Sequence, residues 1–218
     1  MKTGTQPRIS EATPAHADFL AWVCLAAFRS HLERGFWDFM LQGDEAYKLR
    51  YLAALITSGQ LHWSHWSTFL SAEVDGKPVS ALGGYFDAEL GGPTLRLAGA
   101  EANERTGRSE EEAAAGFGRA MSIMNVLPEH AEGAWIVENV ATLPDYRGQG
   151  LCERLVQEVL DRGRAKGAKV SDVSVFIGND GAQRVYERCG FEVVGEKRDA
   201  EFEKVYLTPG TRTLRRAI

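Results

Sequence analysis

Arg147-Gly148-Gln149-Gly150 has the composition of an anion cradle. The four residues stand between an apolar run of strand character, Trp135-Ile136-Val137-Glu138-Asn139-Val140, and a run of helix periodicity from Leu151 to Ala165. A helix leaves its first N–H groups without internal partners, and its dipole makes that end partly positive. Two glycines and an arginine at such a junction suit a phosphate. Neighbouring residues exclude two common phosphate ligands. A Walker loop needs Lys and then Ser or Thr after its last glycine, whereas Gly150 is followed by Leu151-Cys152-Glu153. A dinucleotide fingerprint needs a third small residue three positions after the second glycine, where Glu153 stands.

Other reactive side chains weigh less. Cys152 falls at the expected helix start, which lowers a thiol pKa, but no histidine lies near it in the sequence. His62 and His65, in His62-Trp63-Ser64-His65-Trp66, lack the further ligands that a metal needs, so no metal site is expected. Cys24, Cys152 and Cys189 are an odd, scattered set without a disulfide framework, which points to a reducing cytoplasm.

Several elements must hold these groups in place. Thr13-Pro14 opens a first helix through Phe28, and a second helical region runs from Glu45 to Thr57. Strands are expected over Ser67–Val74 and Pro78–Phe86, joined at Asp75-Gly76-Lys77, whose Asp-Gly pair suits a tight hairpin. Thr94 to Leu97 reads as a short strand end. Ser109 to Glu112 forms a capping box that opens a helix through Phe117, Met121 and Met124. A strand follows over Trp135–Thr142, a helix from Gly150 to Lys166 stopped by Gly167, a strand over Val170–Ile177 and a short helix over Asp180–Cys189. Strands over Phe191–Glu196 and Glu201–Leu207 complete the series. The strand–helix–strand crossover implies a parallel pair, and the hairpins on either side imply a mixed sheet.

The chain is long enough for one sizeable core, as one domain or a domain plus an extension: 218 residues, 44% hydrophobic and 25% charged, with net charge -5. That charge argues against a nucleic-acid partner, and Arg212, Arg215 and Arg216 read as a frayed basic terminus. Met1 to Pro7 lacks an apolar signal core, and the longest apolar stretch, Phe19 to Phe28, is too short to span a bilayer, so no membrane partner is expected. The aromatic residues Phe36, Trp37, Phe39, Trp63 and Trp66 have the spacing of core rather than of a partner surface.

The segment Asn139 to Leu151 resembles the acetyl-CoA-binding motif of the GNAT N-acetyltransferase superfamily, with Arg147, Gly150 and Cys152 on its Arg/Gln, Gly and Gly/Ala positions. Cys152 departs from the small residue at the last of these. A second segment, Asn179 to Phe191, is similar to the family's Asn, Ala, Tyr and Gly-Phe pattern through Asn179, Ala182, Tyr186 and Gly190-Phe191. The resemblance spans roughly residues 66 to 208. It implies a single-domain α/β (α+β) fold, with a helical N-terminal part over residues 1–65, an acyl-CoA-binding core over 66–208 and a helical insertion at about 91–128. The mixed central sheet would be flanked by helices and splayed between its fourth and fifth strands.

The resemblance also implies roles. Backbone N–H groups of Gly148, Gln149, Gly150, Leu151 and Cys152 would hold the pyrophosphate of coenzyme A, while Arg147 either adds charge or points to solvent. Val140, Ala141 and Thr142 would pair with the pantetheine arm, with the Val140 N–H facing the thioester oxygen. Tyr186 would protonate the leaving thiolate. Asn179 would bond the pantetheine arm or cap the short helix. An amine must lose a proton before it attacks, and Glu138, a carboxylate two residues before Val140 and hence on the same strand face, is the candidate base. The expected activity is transfer of an acetyl or short acyl group to the amine of a small molecule or peptide, by a monomer or homodimer. The alternatives are an acyl-CoA sensor without turnover and an interaction protein. Glu101, Glu104 and Glu110 to Glu112 hint at a basic acceptor.

Overall fold

The computed structural model describes residues 7–90 and 92–218, so of Met1 to Pro7 only the last lies among the described residues. Strand β1 (Arg8–Glu11) leads through a 3-10 turn at Pro14–His16 into α1 (Ala17–Arg29), α2 (Phe36–Met40) and α3 (Glu45–Ile56). Strands β2 (Phe69–Val74) and β3 (Lys77–Phe86) form a hairpin, whose Asp75 and Gly76 both take positive φ, 50° and 73°. Helices α4 (Asp87–Leu90), α5 (Gly92–Thr106) and α6 (Glu110–Ala120) follow, with a 3-10 segment at Met121–Val126. The remainder is β4 (Trp135–Thr142), α7 (Leu151–Ala165), β5 (Val170–Phe176), α8 (Asp180–Arg188), β6 (Glu192–Arg198), α9 (Ala200–Tyr206) and β7 (Gly210–Ala217).

These elements follow local rules. Ser109 Oγ accepts from the Glu112 N–H at 3.1 Å while Glu112 Oε2 accepts from the Ser109 N–H at 2.9 Å, the expected capping box. Asp44 caps α3 through the Tyr47 N–H at 2.8 Å.

The sheet has the order β1-β2-β3-β4-β5-β7-β6, with only β4 and β5 parallel. Alternate residues feed two cores. Phe69 and Ala81 face a cluster with α1, α2, α3 and α5, which absorbs Trp37 and packs Phe36, Trp63 and Trp66 against it. Leu70, Leu82, Trp135 and Val137 face α7 on the other side. There the indole of Trp135 lies between two glycines. A Cβ on Gly84 would stand 2.7 Å from Trp135 Nε1, and one on Gly163 of α7 would stand 2.7 Å from Trp135 Cγ.

Four expectations fail. Thr94 to Leu97 lies inside α5, where Ala98 and Ala102, one helical turn apart, are fully buried. Glu201 to Leu207 belongs mainly to α9: Asp199 caps it through the Phe202 N–H at 2.8 Å, and Phe202 and Tyr206 stack with centroids 4.4 Å apart. The basic terminus is no tail, because Arg212, Arg215 and Arg216 belong to β7, between β5 and β6. Arg215 reaches the fully buried Asp172 with two bonds, Nε to Oδ1 at 2.7 Å and Nη2 to Oδ2 at 2.8 Å. Finally, the N-terminal part is not wholly helical, since β1 pairs with β2.

Candidate active site

Gly148 and Gly150 both adopt the left-handed conformation, with φ of 71° and 73°. A Cβ on either would meet nothing within 4 Å, so backbone conformation and open space, not packing, call for glycine here. Gly150 is the N-cap of α7 and supplies no side-chain cap, which leaves the first N–H groups of that helix to an outside acceptor. Arg147 is exposed and turns back, donating from Nε to the Thr142 carbonyl at 3.1 Å, while Gln149 donates to the Asp145 carbonyl at 3.1 Å. Both side chains thus brace the turn. An open cavity of about 450 Å3 lies before it, reached by Val140, Ala141, Thr142, Arg147, Gly148, Gly150, Leu151, Cys152, Asn179 and Ala182.

The sheet parts beside this turn. β4 and β5 are in register only from Trp135/Ser171 to Val137/Val173, although β4 continues to Thr142. Backbone groups of β4 that point toward β5 beyond Val137 therefore have no strand to meet.

A bulge sits at the parting. Ala81 pairs with Ala141 and Gly83 with Glu138, so Asn139 and Val140 together oppose Leu82. Asn139 takes the left-handed conformation, φ 53°, which asparagine tolerates better than most residues. The extra residue breaks the alternation of faces. Val140 packs with the α7 cluster and Ala141 with the α1–α3 cluster. Glu138 instead shares the side of Tyr85, which is registered with Ile136. The expectation that Glu138 and Val140 share one face is thus corrected, and the bulge is the reason.

Glu138 is half-buried, and its Oε2 accepts from the Tyr85 hydroxyl at 2.6 Å. Burial raises its pKa, the Tyr85 bond and nearby His130 oppose that rise, and Asp87 adds to it. Tyr186 of α8 is buried, and its hydroxyl has no hydrogen-bond partner among the described residues. Burial, reinforced by Cys152 and Cys189, pushes its pKa well above 10, so it holds its proton at neutral pH. Asn179 caps α8, accepting from the Ala182 N–H at 3.2 Å, and its Nδ2 donates to Ser30 Oγ at 2.6 Å. The capping role is thus filled, and it ties α8 to the end of α1.

Burial pushes the Cys152 thiol up to about 12, and Glu153 adds to the shift, so the helix terminus does not activate it. His62 donates from Nε2 to the Leu55 carbonyl at 3.0 Å and accepts from the Ser64 N–H at 3.2 Å, and burial lowers its pKa to about 4. Two of the acidic residues read as a hint of a basic acceptor have other roles. Glu101 accepts from the Gly59 N–H at 2.8 Å, Glu112 closes the capping box, and none of Glu101, Glu104 and Glu110 to Glu112 lines the cavity before the glycine turn.

A second cavity, of about 170 Å3, lies between the parted strands. Ala27, Ser30, Val140, Asn179, Ala182 and Tyr186 line both spaces, so the two meet at the bulge. Glu138 opens only into the smaller one. Sequence reasoning missed Tyr85, Asn139 and Ser30. Asn139, as a residue suited to positive φ within a strand, carried the only local signal.

The geometry has relatives. The profile of the acetyltransferase (GNAT) family matches residues 32–191. A putative ribosomal-protein bS18-alanine N-acetyltransferase of Bacillus subtilis (strain 168) is 32% identical over 73 residues, which are 31% of this chain and 48% of that protein. The match thus spans about half the length of that curated relative. An N-acetyltransferase from Staphylococcus aureus Mu50 superimposes with a TM-score of 0.68 at 18% identity, covering 96% of this chain and 100% of the other. A putative acetyltransferase from Salmonella typhimurium, solved with its cofactor acetyl-CoA, gives 0.54 at 13% identity, covering 98% and 94%. Among the described residues no helix is long and apolar enough to cross a membrane.

Proposed function

Because the chain belongs to the acetyltransferase (GNAT) family, we propose that it moves an acetyl or short acyl group from acetyl-CoA to a primary amine by direct attack. The observation that carries this reading is the junction of the two cavities at the Asn139–Val140 bulge. The donor space there would run from the glycine turn to the parted strands, and the acceptor space would be the smaller cavity, which Glu138 and Tyr186 both line.

The pyrophosphate would rest on the N–H groups from Gly148 to Cys152, where both glycines leave the approach open. The pantetheine arm would lie along Val140, Ala141 and Thr142 and use the backbone groups that β5 does not reach. The Val140 N–H would meet the developing oxyanion. Glu138, directly or through water, would take the proton that the ammonium must lose, and its raised pKa brings it closer to the working range of a base. Tyr186, protonated and unpartnered, would return a proton to the thiolate of coenzyme A.

Two outcomes are expected. Release of free thiol from acetyl-CoA should require an amine, and Tyr186→Phe should lower kcat about 10²-fold with KM for acetyl-CoA unchanged. Full turnover in that variant, under conditions where chemistry limits the rate, would remove Tyr186 from the reaction. Gly150→Ala should cost only about 1 kcal/mol of stability, the penalty of a left-handed alanine, because its Cβ meets no protein atom. The same Cβ would enter the phosphate's space, so Kd for coenzyme A should rise at least about 10-fold. Calorimetric titration of coenzyme A beside a thermal melt separates the two effects.

A further inference from the structure

The walls of the acceptor space are mostly apolar, with the neutral polar residues Ser30, Ser174, Asn179, Tyr186 and Thr211 among them. Phe28 of α1, Ile123 and Val126 of the 3-10 segment, Val137, Val173 and Val175 all line it. Several of these are held rigidly. Val126 is fully buried, and its carbonyl accepts from Thr211 of β7. Tyr206 and Phe202 pack behind Ile123 and Val126, and the Tyr206 hydroxyl bonds the Ala120 carbonyl at 3.2 Å. Glu138 is the only ionisable carboxylate among the lining residues, and no lysine, arginine or histidine lines the space. Its Oε1 has no partner among the described residues, and Asn139 Oδ1, enclosed in a residue 3% exposed, has none either. Glu138 is therefore the one charged acceptor of a pocket whose other lining residues are neutral.

We propose that the acceptor is a primary monoamine with a small apolar body, of the size of an arylalkyl or branched alkyl amine; the inference rests on the acetyltransfer reading above. One amino group is matched to the one carboxylate that lines the space. A second ammonium on the same molecule would enter the apolar walls without a counter-charge, which is costly. Size points the same way. A cavity of about 150 Å3 lined by aliphatic and aromatic groups holds one benzene ring, and the acceptor space is about 170 Å3. A peptide would have to place the residues beyond its first outside a space of that size.

The test is thiol release from acetyl-CoA with phenethylamine, isoamylamine, putrescine and a peptide beginning with alanine. The two monoamines should exceed putrescine and the peptide in kcat/KM by about 10²-fold, as expected when a rival must bury an unpaired charge or amide. Leu127 lines the space yet is 42% exposed, so Leu127→Glu should fold. That variant should improve putrescine and weaken phenethylamine, each by about 10-fold or more. Preference for putrescine or the peptide in the unaltered protein would overturn the proposal while leaving acetyl transfer intact. If coenzyme A binds but no amine is turned over, phenethylamine must still raise the melting temperature of the coenzyme A complex more than putrescine does; equal shifts overturn the proposal. A protein that does not bind coenzyme A overturns the acetyltransfer reading and this one with it.

Discussion

Glu138→Gln should lower kcat/KM at neutral pH by about 10²–10³-fold, the usual contribution of a positioned base, while the folded protein becomes more stable. The two halves of this expectation share one cause. Burial raises the Glu138 pKa against the opposing Tyr85 bond. As a base the group works only when ionised, so kcat/KM of the unaltered protein should fall as pH drops through that raised value, and the variant should lack this limb of the profile. Stability runs in the opposite sense. The folded state binds the Glu138 proton more tightly than the unfolded chain does, so the favourable contribution is fully present below the unfolded pKa and is lost as pH rises through the folded one. Glutamine carries no such charge and keeps an acceptor for Tyr85. The Tm of Glu138→Gln should therefore equal or exceed that of the unaltered protein at pH 7, with the difference vanishing below about pH 4. A variant that loses both activity and Tm would show Glu138 to be a structural partner of Tyr85 rather than a base.

Trp135→Ala should cost about 3–5 kcal/mol, the range for deleting a buried aromatic side chain. In a protein of this length that is a fall in Tm of about 6–20 °C. The indole is 2% exposed, and it fills the slot between Gly84 of β3 and Gly163 of α7. Phe86 meets it edge-on, with centroids 5.1 Å apart. Gly163→Ala alone should overpack the same slot and cost about 1–3 kcal/mol. In the Trp135→Ala background it should cost much less, because the added methyl then enters the emptied space. Additive costs in a double-mutant cycle measured by denaturant unfolding would show that Trp135 does not set the spacing of α7 against the sheet. The slot also bears on the proposed donor site: the glycine turn ends at Gly150, the N-cap of α7, so coenzyme A affinity should fall with Trp135→Ala.

The readable parts of the chain were those written locally. The glycine turn, α7 with its Gly167 stop, β4 and α8 each declare themselves within a dozen residues, and all four border the site. Where a distant partner decides, local reading fails. Arg215 looks like a frayed basic end until Asp172, 43 positions earlier, is seen beneath it. Phe202, Val205 and Tyr206 have helical spacing, but Pro209 and the preceding strand drew them into a hairpin; Asp199, the cap, was the overlooked signal. Nothing in Trp135–Thr142 announces that two residues oppose one of β3, because a bulge is a property of the pair and not of either strand. Glu138 could therefore be picked out as a base from its type and place, while its orientation relative to Val140 could not.

The position of β7 has a consequence for the order of assembly. β6 has β7 as its sole neighbour in the sheet, and β5 beyond its three registered residues with β4 has β7 alone. As the chain leaves the ribosome, residues 170–198 emerge before the strand that joins them, and two open edges wait for Gly210 to Ala217. Until then α8, with Asn179 and Tyr186, rides on a strand held at one end. The glycine turn and α7 can form early, and the cavity wall that Thr211 pins is completed when β7 arrives. Chains paused before Gly210 are the form in which an edge-to-edge mispairing between copies would begin.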